Sequence, residues 1–371
     1  MKILHLSAAK KWGGGENHLE NLCFELDKKG LAENHVLCVK KGILHQRLEK
    51  TGILLHAAPL DNKLDPRFLY RLIRLVKKQK FDLLHIHDST ALTLAVVADH
   101  LADLPPFVLS KKTSFPIKPR KQSLYKYNYP KIKKILCVSE ETRKVTSKSI
   151  IDQKKLIRLY HGVAIQQQSG SKAELNLRKH LKLSSDKKII GNIANHIRPK
   201  DLPTLVKTAN QLINLKTRSD FHFVQIGNFT KQRTESLKLM VKQYGLEEHF
   251  SFLGFRENAS ALIPQFDISI MTSQSEGLPQ FIYESFFHKV PVISTSVGGI
   301  PEIISHKING LLAEAHDEKK LCENILFLSN NEELIPKFVE ISYHKLLQDF
   351  TSDIMAEKTL TEYKNILNER L

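Results

Sequence analysis

The sequence predicts an α/β protein of two doubly wound parallel sheets, and three observations carry that prediction. Short apolar runs alternate with helical patterns along all 371 residues. The alternation restarts after Ala164-Ile165-Gln166-Gln167-Gln168-Ser169-Gly170-Ser171, a polar, turn-rich stretch that reads as an interdomain linker. Several strand ends also run directly into glycine-rich or proline-opened turns, the junctions at which such sheets hold ligands. Two βα sets of similar size therefore imply two Rossmann-like domains, with the carboxyl ends of both sheets expected to face one central cleft.

The elements follow in order. Residues 2–7 read as the first strand, and helix 16–29 follows the glycines at 13–15. Strands at 35–39, 82–87, 106–110 and 134–138, helices at 66–79, 90–102 and 140–149, and a short strand near 157–160 complete the first set. The second set has strands at 188–193, 221–226, 250–253, 267–271, 291–294 and 310–312, with helices between them. Domains are placed at 1–165 and 166–350. The amphipathic pattern at 351–371 is a final helix.

No run approaches the roughly 20 apolar residues that span a bilayer. Met1 to Leu6 lacks the longer apolar core of a signal peptide, so a cytoplasmic protein is expected. Cys23, Cys38, Cys137 and Cys322 show no metal-ligand or redox spacing and read as buried free thiols. Charge is lopsided: residues 1–165 hold 31 Lys and Arg against 15 Asp and Glu, and the remainder 25 against 24. A fold does not require that asymmetry. The first half is expected to face something anionic.

The most informative stretch is SEGLPQFIYE, from Ser275 to Glu284. Phe266 to Met271 reads as a buried strand before it, and Pro279 suits the first turn of a helix after it. Glu276 then lies in a loop at the carboxyl end of a strand, with Glu284 one to two turns into the helix. Backbone N–H groups from Gly277 to Gln280 would point outward as an anion site with the helix dipole behind them. Two such glutamates alone are ordinarily two solvated charges. Their setting is not ordinary: Val290 to Glu302 gives another buried strand, a Gly298-Gly299 turn and a helix opened by Pro301, before Asn309-Gly310-Leu311-Leu312.

Here the sequence closely resembles the retaining GT-B glycosyltransferases of family 4, whose signature is E-x7-E followed by these strand and turn patterns. The resemblance extends, in the family's order, over about residues 2–315. It includes Trp12-Gly13-Gly14-Gly15-Glu16-Asn17-His18, Asp82 to His87, Leu136 to Arg143 and Phe252-Leu253-Gly254-Phe255-Arg256. It implies a GT-B fold and metal-independent transfer from a nucleotide sugar to a glycan or glycolipid acceptor in bacterial envelope lipopolysaccharide or polysaccharide assembly. On the donor side it implies Glu284 at the ribose, Phe255 and Arg256 at the base, and Gly277, Leu278 and Pro279 with Lys200 at the diphosphate. Glu276 would stand beside the transferred sugar. The family's usual Arg five residues before the Lys is Asn195 here, and Arg198 is its substitute. On the acceptor side it implies Gly14, Gly15 and His18. Many members place a His near the sugar where this chain has Lys111, Lys112 and Thr113, so Lys111 and Lys112 are placed with the acceptor-side residues. The final helix of family members crosses back to the first domain.

Other constellations are weaker. The Gly13 to Gly15 run fails the G-x-G-x-x-G spacing of a dinucleotide site. His85 and His87 share a strand face, but two ligands are too few for a metal, and core histidines are the plainer reading. No D-x-D occurs to hold a divalent ion, so no metal and no cofactor are expected. Nine basic residues and four aromatics lie between 110 and 134 without one acid. That is a solvated face, a membrane interface or a nucleic-acid surface; an anionic membrane surface on the inner face of the cytoplasmic membrane is expected, and nucleic acid is not. The alternatives are a nucleotide-sugar epimerase or hydrolase of the same fold, or a basic lipid- or nucleic-acid-binding protein with a relic site.

Overall fold

The structure is a computed structural model describing residues 1–165, 173, 175–228 and 231–368. It separates into two compact units, Met1–Ala164 with Phe350–Leu371, and Ile165–Asp349. Most of the linker reading at 164–171 falls outside the described residues.

The first unit is a seven-stranded parallel sheet in the order β3-β2-β1-β4-β5-β6-β7. Its strands are β1 (Lys2–Leu6), β2 (Glu33–Val39), β3 (Leu54–Ala58), β4 (Leu83–Ile86), β5 (Phe107–Lys111), β6 (Ile132–Cys137) and β7 (Leu156–Arg158). Most read as near-continuous apolar runs because helices cover both faces. The expected strands are present within a few residues, and β3 is an addition. It pairs only with β2, and Leu54 is exposed at that edge. The helix Pro66–Gln79 forms where its ends dictate: Asp65 accepts from the Arg67 N–H, proline fills the first helical position, and Lys80 closes it in a left-handed conformation. Phe68, Leu72, Leu75 and Val76 bury one face. The helix Ser352–Asn368 lays Met355, Leu360, Tyr363 and Ile366 on Ile3, Leu83 and Val108 of this same sheet. Gly162 permits that return, since a Cβ there would lie 2.3 Å from the Thr351 carbonyl oxygen.

The second unit is a six-stranded parallel sheet in the order β10-β9-β8-β11-β12-β13. Its strands are β8 (Lys188–Ile193), β9 (Phe221–Ile226), β10 (Phe250–Gly254), β11 (Ile268–Met271), β12 (Val292–Thr295) and β13 (Leu311–Ala313). Ile190, Phe221, Phe223, Ile270, Ile293 and Leu311 join a core with Val206 and Ile325 from the covering helices. The strand order reverses between β8 and β11, so the loops after these two strands diverge and open a crevice. The corresponding point in the first unit lies between β1 and β4. Among the described residues no helix is long and apolar enough to cross a membrane.

His5, His18, His85, His87 and His161 are buried in the interior of the first unit. Burial holds all of them below the usual imidazole range, His5 at about 4 and His161 at about 3. They are therefore neutral when folded and free to protonate when unfolded. Between about pH 6.5 and 4 the unfolded chain binds more protons, so stability falls as pH falls through that window. Each site costs about 1.4 kcal/mol per pH unit there. Equilibrium unfolding from pH 7.5 to 4.5 should show a steep loss of stability, and a flat profile contradicts the neutral core.

Candidate active site at the strand ends

Two loops and one turn build the site of the second unit. After β11 the chain runs through Thr272 to Pro279 into the helix Gln280–Phe287. Pro279 stands at the N-cap with φ −81° and ψ 126°, one residue outside the helix instead of in its first turn. After β8 the chain turns through Arg198–Lys200, a single 3-10 turn. The loops are sewn together by backbone. The Gln274 N–H donates to the Pro199 carbonyl at 2.9 Å and its side-chain amide to the Arg198 carbonyl at 2.7 Å. The Thr272 hydroxyl meets the Asp201 carbonyl at 3.1 Å. This places the Lys200 ammonium 2.6 Å from the Glu276 carboxylate, which also accepts from the Ser273 hydroxyl at 2.6 Å. The two residues most favoured for chemistry by the sequence thus form one ion pair.

The Gly298-Gly299 turn fixes that loop from the other side. Gly298 has φ +59°, and a Cβ on it would lie 1.8 Å from the Glu276 carbonyl oxygen. The Gly299 N–H donates to the Gly277 carbonyl at 2.9 Å, and the Thr295 hydroxyl to the Ser273 carbonyl at 2.5 Å. Ser273, Thr295 and Gly298 are positioning residues that the sequence reading left without a role; the Thr-Ser-Val-Gly-Gly run after β12 was their signal. Gly298→Ala should displace the Glu276 loop. Strain at a left-handed alanine alone costs about 1–3 kcal/mol, so a lower melting temperature and a loss of nucleotide binding are expected. A variant that melts and binds like the wild type contradicts the close approach.

Glu284 sits in the helix Gln280–Phe287. Among the described residues no hydrogen bond or ion pair reaches its carboxyl group, and burial pushes its pKa up to about 7. A half-buried carboxyl group with no partner among the described residues is a poor structural element and a good ligand contact. Arg198 is exposed, with no partner for its guanidinium among the described residues. Asn195 accepts from the Asn228 N–H at 3.0 Å, a tie between the loops after β8 and β9. Phe255, 60% exposed, and the exposed Arg256 follow β10 at the same carboxyl edge of the sheet.

In the first unit the glycine-rich loop opens the helix Gly14–Lys28 as expected, with Gly13 at the N-cap and no side chain capping it. Three expectations need correction. His18 is 3% exposed, and its Nδ1 lies 2.8 Å from His161 Nδ1, so it belongs to the histidine interior instead of an acceptor surface. Lys111 is also buried. Its ammonium donates to the Thr113 carbonyl and hydroxyl and to the Phe115 carbonyl, holding its own loop. Lys112 donates to the Gly15 carbonyl at 2.7 Å and contacts His87 Nδ1 at 3.2 Å, and burial lowers it to about 8. It supports the glycine loop from beneath.

His5, His85 and His87 lie close enough to share a metal ion. Their nitrogens are otherwise engaged. Lys112 donates to His87 Nδ1, which puts the proton of that ring on Nε2, 3.1 Å from His5 Nδ1. His5 Nε2 then faces Asn34 Oδ1 at 3.2 Å. His85 is held between Tyr363 and Ser110 at 2.5 and 2.8 Å. A cation would have to break these bonds beside an ammonium group. The cluster reads as core.

With this geometry in hand, comparison with known proteins is decisive. Residues 174–345 match the family Glycosyl transferases group 1, and residues 12–167 match Glycosyltransferase Family 4. The chain belongs to the group 1, family 4 glycosyltransferases. It is similar to N-acetyl-alpha-D-glucosaminyl L-malate synthase of Bacillus anthracis, 26% identical over 52% of this chain and 49% of that protein. It also resembles the Escherichia coli UDP-Gal:alpha-D-GlcNAc-diphosphoundecaprenol alpha-1,3-galactosyltransferase, 21% identical over 79% of each chain. The first of these matches spans about half the length of its relative. Among solved structures, Anabaena Alr3699/HepE in complex with UDP and glucose has a TM-score of 0.85 at 18% identity, covering 98% of this chain and 100% of that one. That likeness establishes the GT-B fold.

Proposed function

We propose that this protein is a retaining glycosyltransferase that moves a sugar from a nucleotide sugar to a glycan or glycolipid acceptor in bacterial envelope biosynthesis. The observation that carries the reading is the set of groups around the loop after β11: the Lys200–Glu276 pair, and in the helix that follows it a Glu284 carboxyl with no partner among the described residues. The donor's ribose hydroxyls bond Glu284, and its diphosphate takes Lys200, Arg198 and the Gly277, Leu278 and Gln280 N–H groups. Phe255 offers a face to the base, with Arg256 beside it. Lys200, drawn from Glu276 to the phosphate, stabilises charge on the departing diphosphate. Such a contribution is typically about 3–4 kcal/mol in a preorganised site. Glu276, freed of its partner, bonds the transferred sugar as positive charge develops at the anomeric carbon. The leaving phosphate accepts the acceptor's proton on the same face, which retains configuration. Gly14 and Gly15 are the acceptor-side contacts.

Likeness to other envelope enzymes supports this setting: besides those above, the chain resembles an O-antigen biosynthesis glycosyltransferase of Escherichia coli. The experiment is transfer from a radiolabelled donor, with the product's anomeric configuration read by NMR. Because a helix N-terminus and cations hold the diphosphate, turnover should persist in excess EDTA. Strict dependence on added Mn²⁺ or Mg²⁺ overturns that diphosphate site.

An anionic membrane surface remains part of the proposal, on fewer groups than the 110–134 run offered. Lys111 is buried, Lys112 is half-buried with its ammonium on the Gly15 carbonyl, and Lys131 is paired with Asp99 and Asp103. Lys118, Lys121 and Lys133 are exposed, with Phe115 and Tyr125 half exposed beside them in sequence.

A further inference from the structure

We infer that the loops after β1 and β2 form a phosphate-binding subsite for an anionic acceptor, built on the paired lysines Lys10-Lys11 and Lys40-Lys41. This rests on the reading of the first unit as the acceptor side, and it names the acceptor's chemistry. The two loops abut: a Cβ on Gly42 would lie 3.6 Å from the Ala9 carbonyl oxygen and 3.7 Å from that of Lys10. All four lysines are exposed, and among the described residues none makes an ion pair or a side-chain hydrogen bond. They stand in the loops that follow the adjacent parallel strands β1 and β2. Four ammonium groups on two abutting loops give a locally positive surface.

Nearby acids do not neutralise it. Glu20 is bound by both Nε and Nη2 of Arg47 at 2.9 Å. Asp88 accepts from the Ala8, Thr90 and Ala91 N–H groups. Asp61 pairs with Arg67. The Glu16 carboxyl is taken up by the Gly13 and Glu16 N–H groups at the start of the helix Gly14–Lys28. The lysines are also presented on a held frame. The Asp88 bond to Ala8 pins the loop after β1 at 2.7 Å. Trp12, the only tryptophan of the chain, anchors it further along, packing on the cluster of Leu19, Cys23, Val36 and Leu44 with the Arg47 guanidinium 4.3 Å over its ring. A fixed loop that carries cations unpaired among the described residues is suited to a phosphate or diphosphate group.

Isothermal titration of inorganic pyrophosphate into the full-length protein saturated with UDP tests this, since UDP fills the donor diphosphate site. The wild type should bind pyrophosphate with an affinity that falls as salt rises. Reversal of all four charges (K10E, K11E, K40E, K41E) should weaken binding at least tenfold, and the milder pair K40Q and K41Q about threefold. UDP affinity, measured separately, should stay unchanged. A reversal of four exposed lysines elsewhere in the unit (K50E, K77E, K78E, K80E) alters net charge equally and should leave pyrophosphate binding within about twofold. Equal weakening by both sets, or no pyrophosphate binding at low salt, overturns the subsite. Failure to bind UDP strikes the donor reading instead. Competition by phosphatidic-acid vesicles identifies a membrane-borne phosphate as the natural ligand, and its absence a soluble one; both require the loss in the four-lysine variant.

Discussion

Glu276→Gln is expected to lower kcat about 10²- to 10³-fold, the range for losing one preorganised charge contact at a reacting centre, while the affinity for free nucleoside diphosphate stays within about threefold. The reasoning starts from the ligand-free pairing. Glu276 holds Lys200 at 2.6 Å and is itself held by Ser273 and by the close backbone approach of Gly298. Glutamine keeps the shape and most hydrogen bonds but removes the charge that balances an oxocarbenium-like state. Steady-state kinetics with saturating acceptor, beside a nucleotide titration, separates the two effects. A variant with wild-type kcat contradicts the place of Glu276 at the sugar.

Glu284→Ala should act the opposite way. Loss of a charge-assisted hydrogen bond costs about 1.5–3 kcal/mol, so nucleoside diphosphate should bind roughly 10- to 150-fold more weakly. Its pH dependence gives a second reading. The carboxyl group titrates at about 7 in the free protein. Ribose hydroxyls favour its ionised form, so nucleoside binding lowers that pKa and releases protons. Affinity should therefore rise with pH up to about 7 and level off above it. Uridine or another nucleoside without phosphates isolates this effect from phosphate ionisation. Equal affinity for wild type and Glu284→Ala, at any pH, removes Glu284 from the ribose.

How far these features were legible in the sequence depended on how local their causes are. The helix Pro66–Gln79 was readable to the residue because Asp65, Pro66 and a four-residue apolar stripe are adjacent in the chain. The edge strand Leu54–Ala58 was not, since its Leu-Leu-His-Ala-Ala run lacks β-branched residues and its order comes from pairing with β2. The Glu276 and Glu284 positions follow from a strand, a turn and a helix in one short stretch. The pairing of Glu276 with a residue 76 positions earlier does not, though the strand order that brings β8 beside β11 explains it. Lys111, Lys112 and His18 were the opposite case. As types they look like surface or ligand residues, and only the path of the chain around them shows that Thr113, Gly15 and His161 receive them. The same path leaves Lys10, Lys11, Lys40 and Lys41 outside, where a count of charge over 165 residues could not single them out.

Thermal unfolding of the wild-type protein in the presence of UDP-, GDP- and ADP-sugars tests the donor site most directly. Selective binding to the folded state at 100 times Kd stabilises by about 2.7 kcal/mol, a shift of several degrees for a unit of this size. The expected result is a raised melting temperature with one nucleotide class, retained by the corresponding free diphosphate and lost in Glu284→Ala. No shift with any of the three classes at millimolar concentration contradicts a nucleotide-sugar site at the β8–β11 switch point.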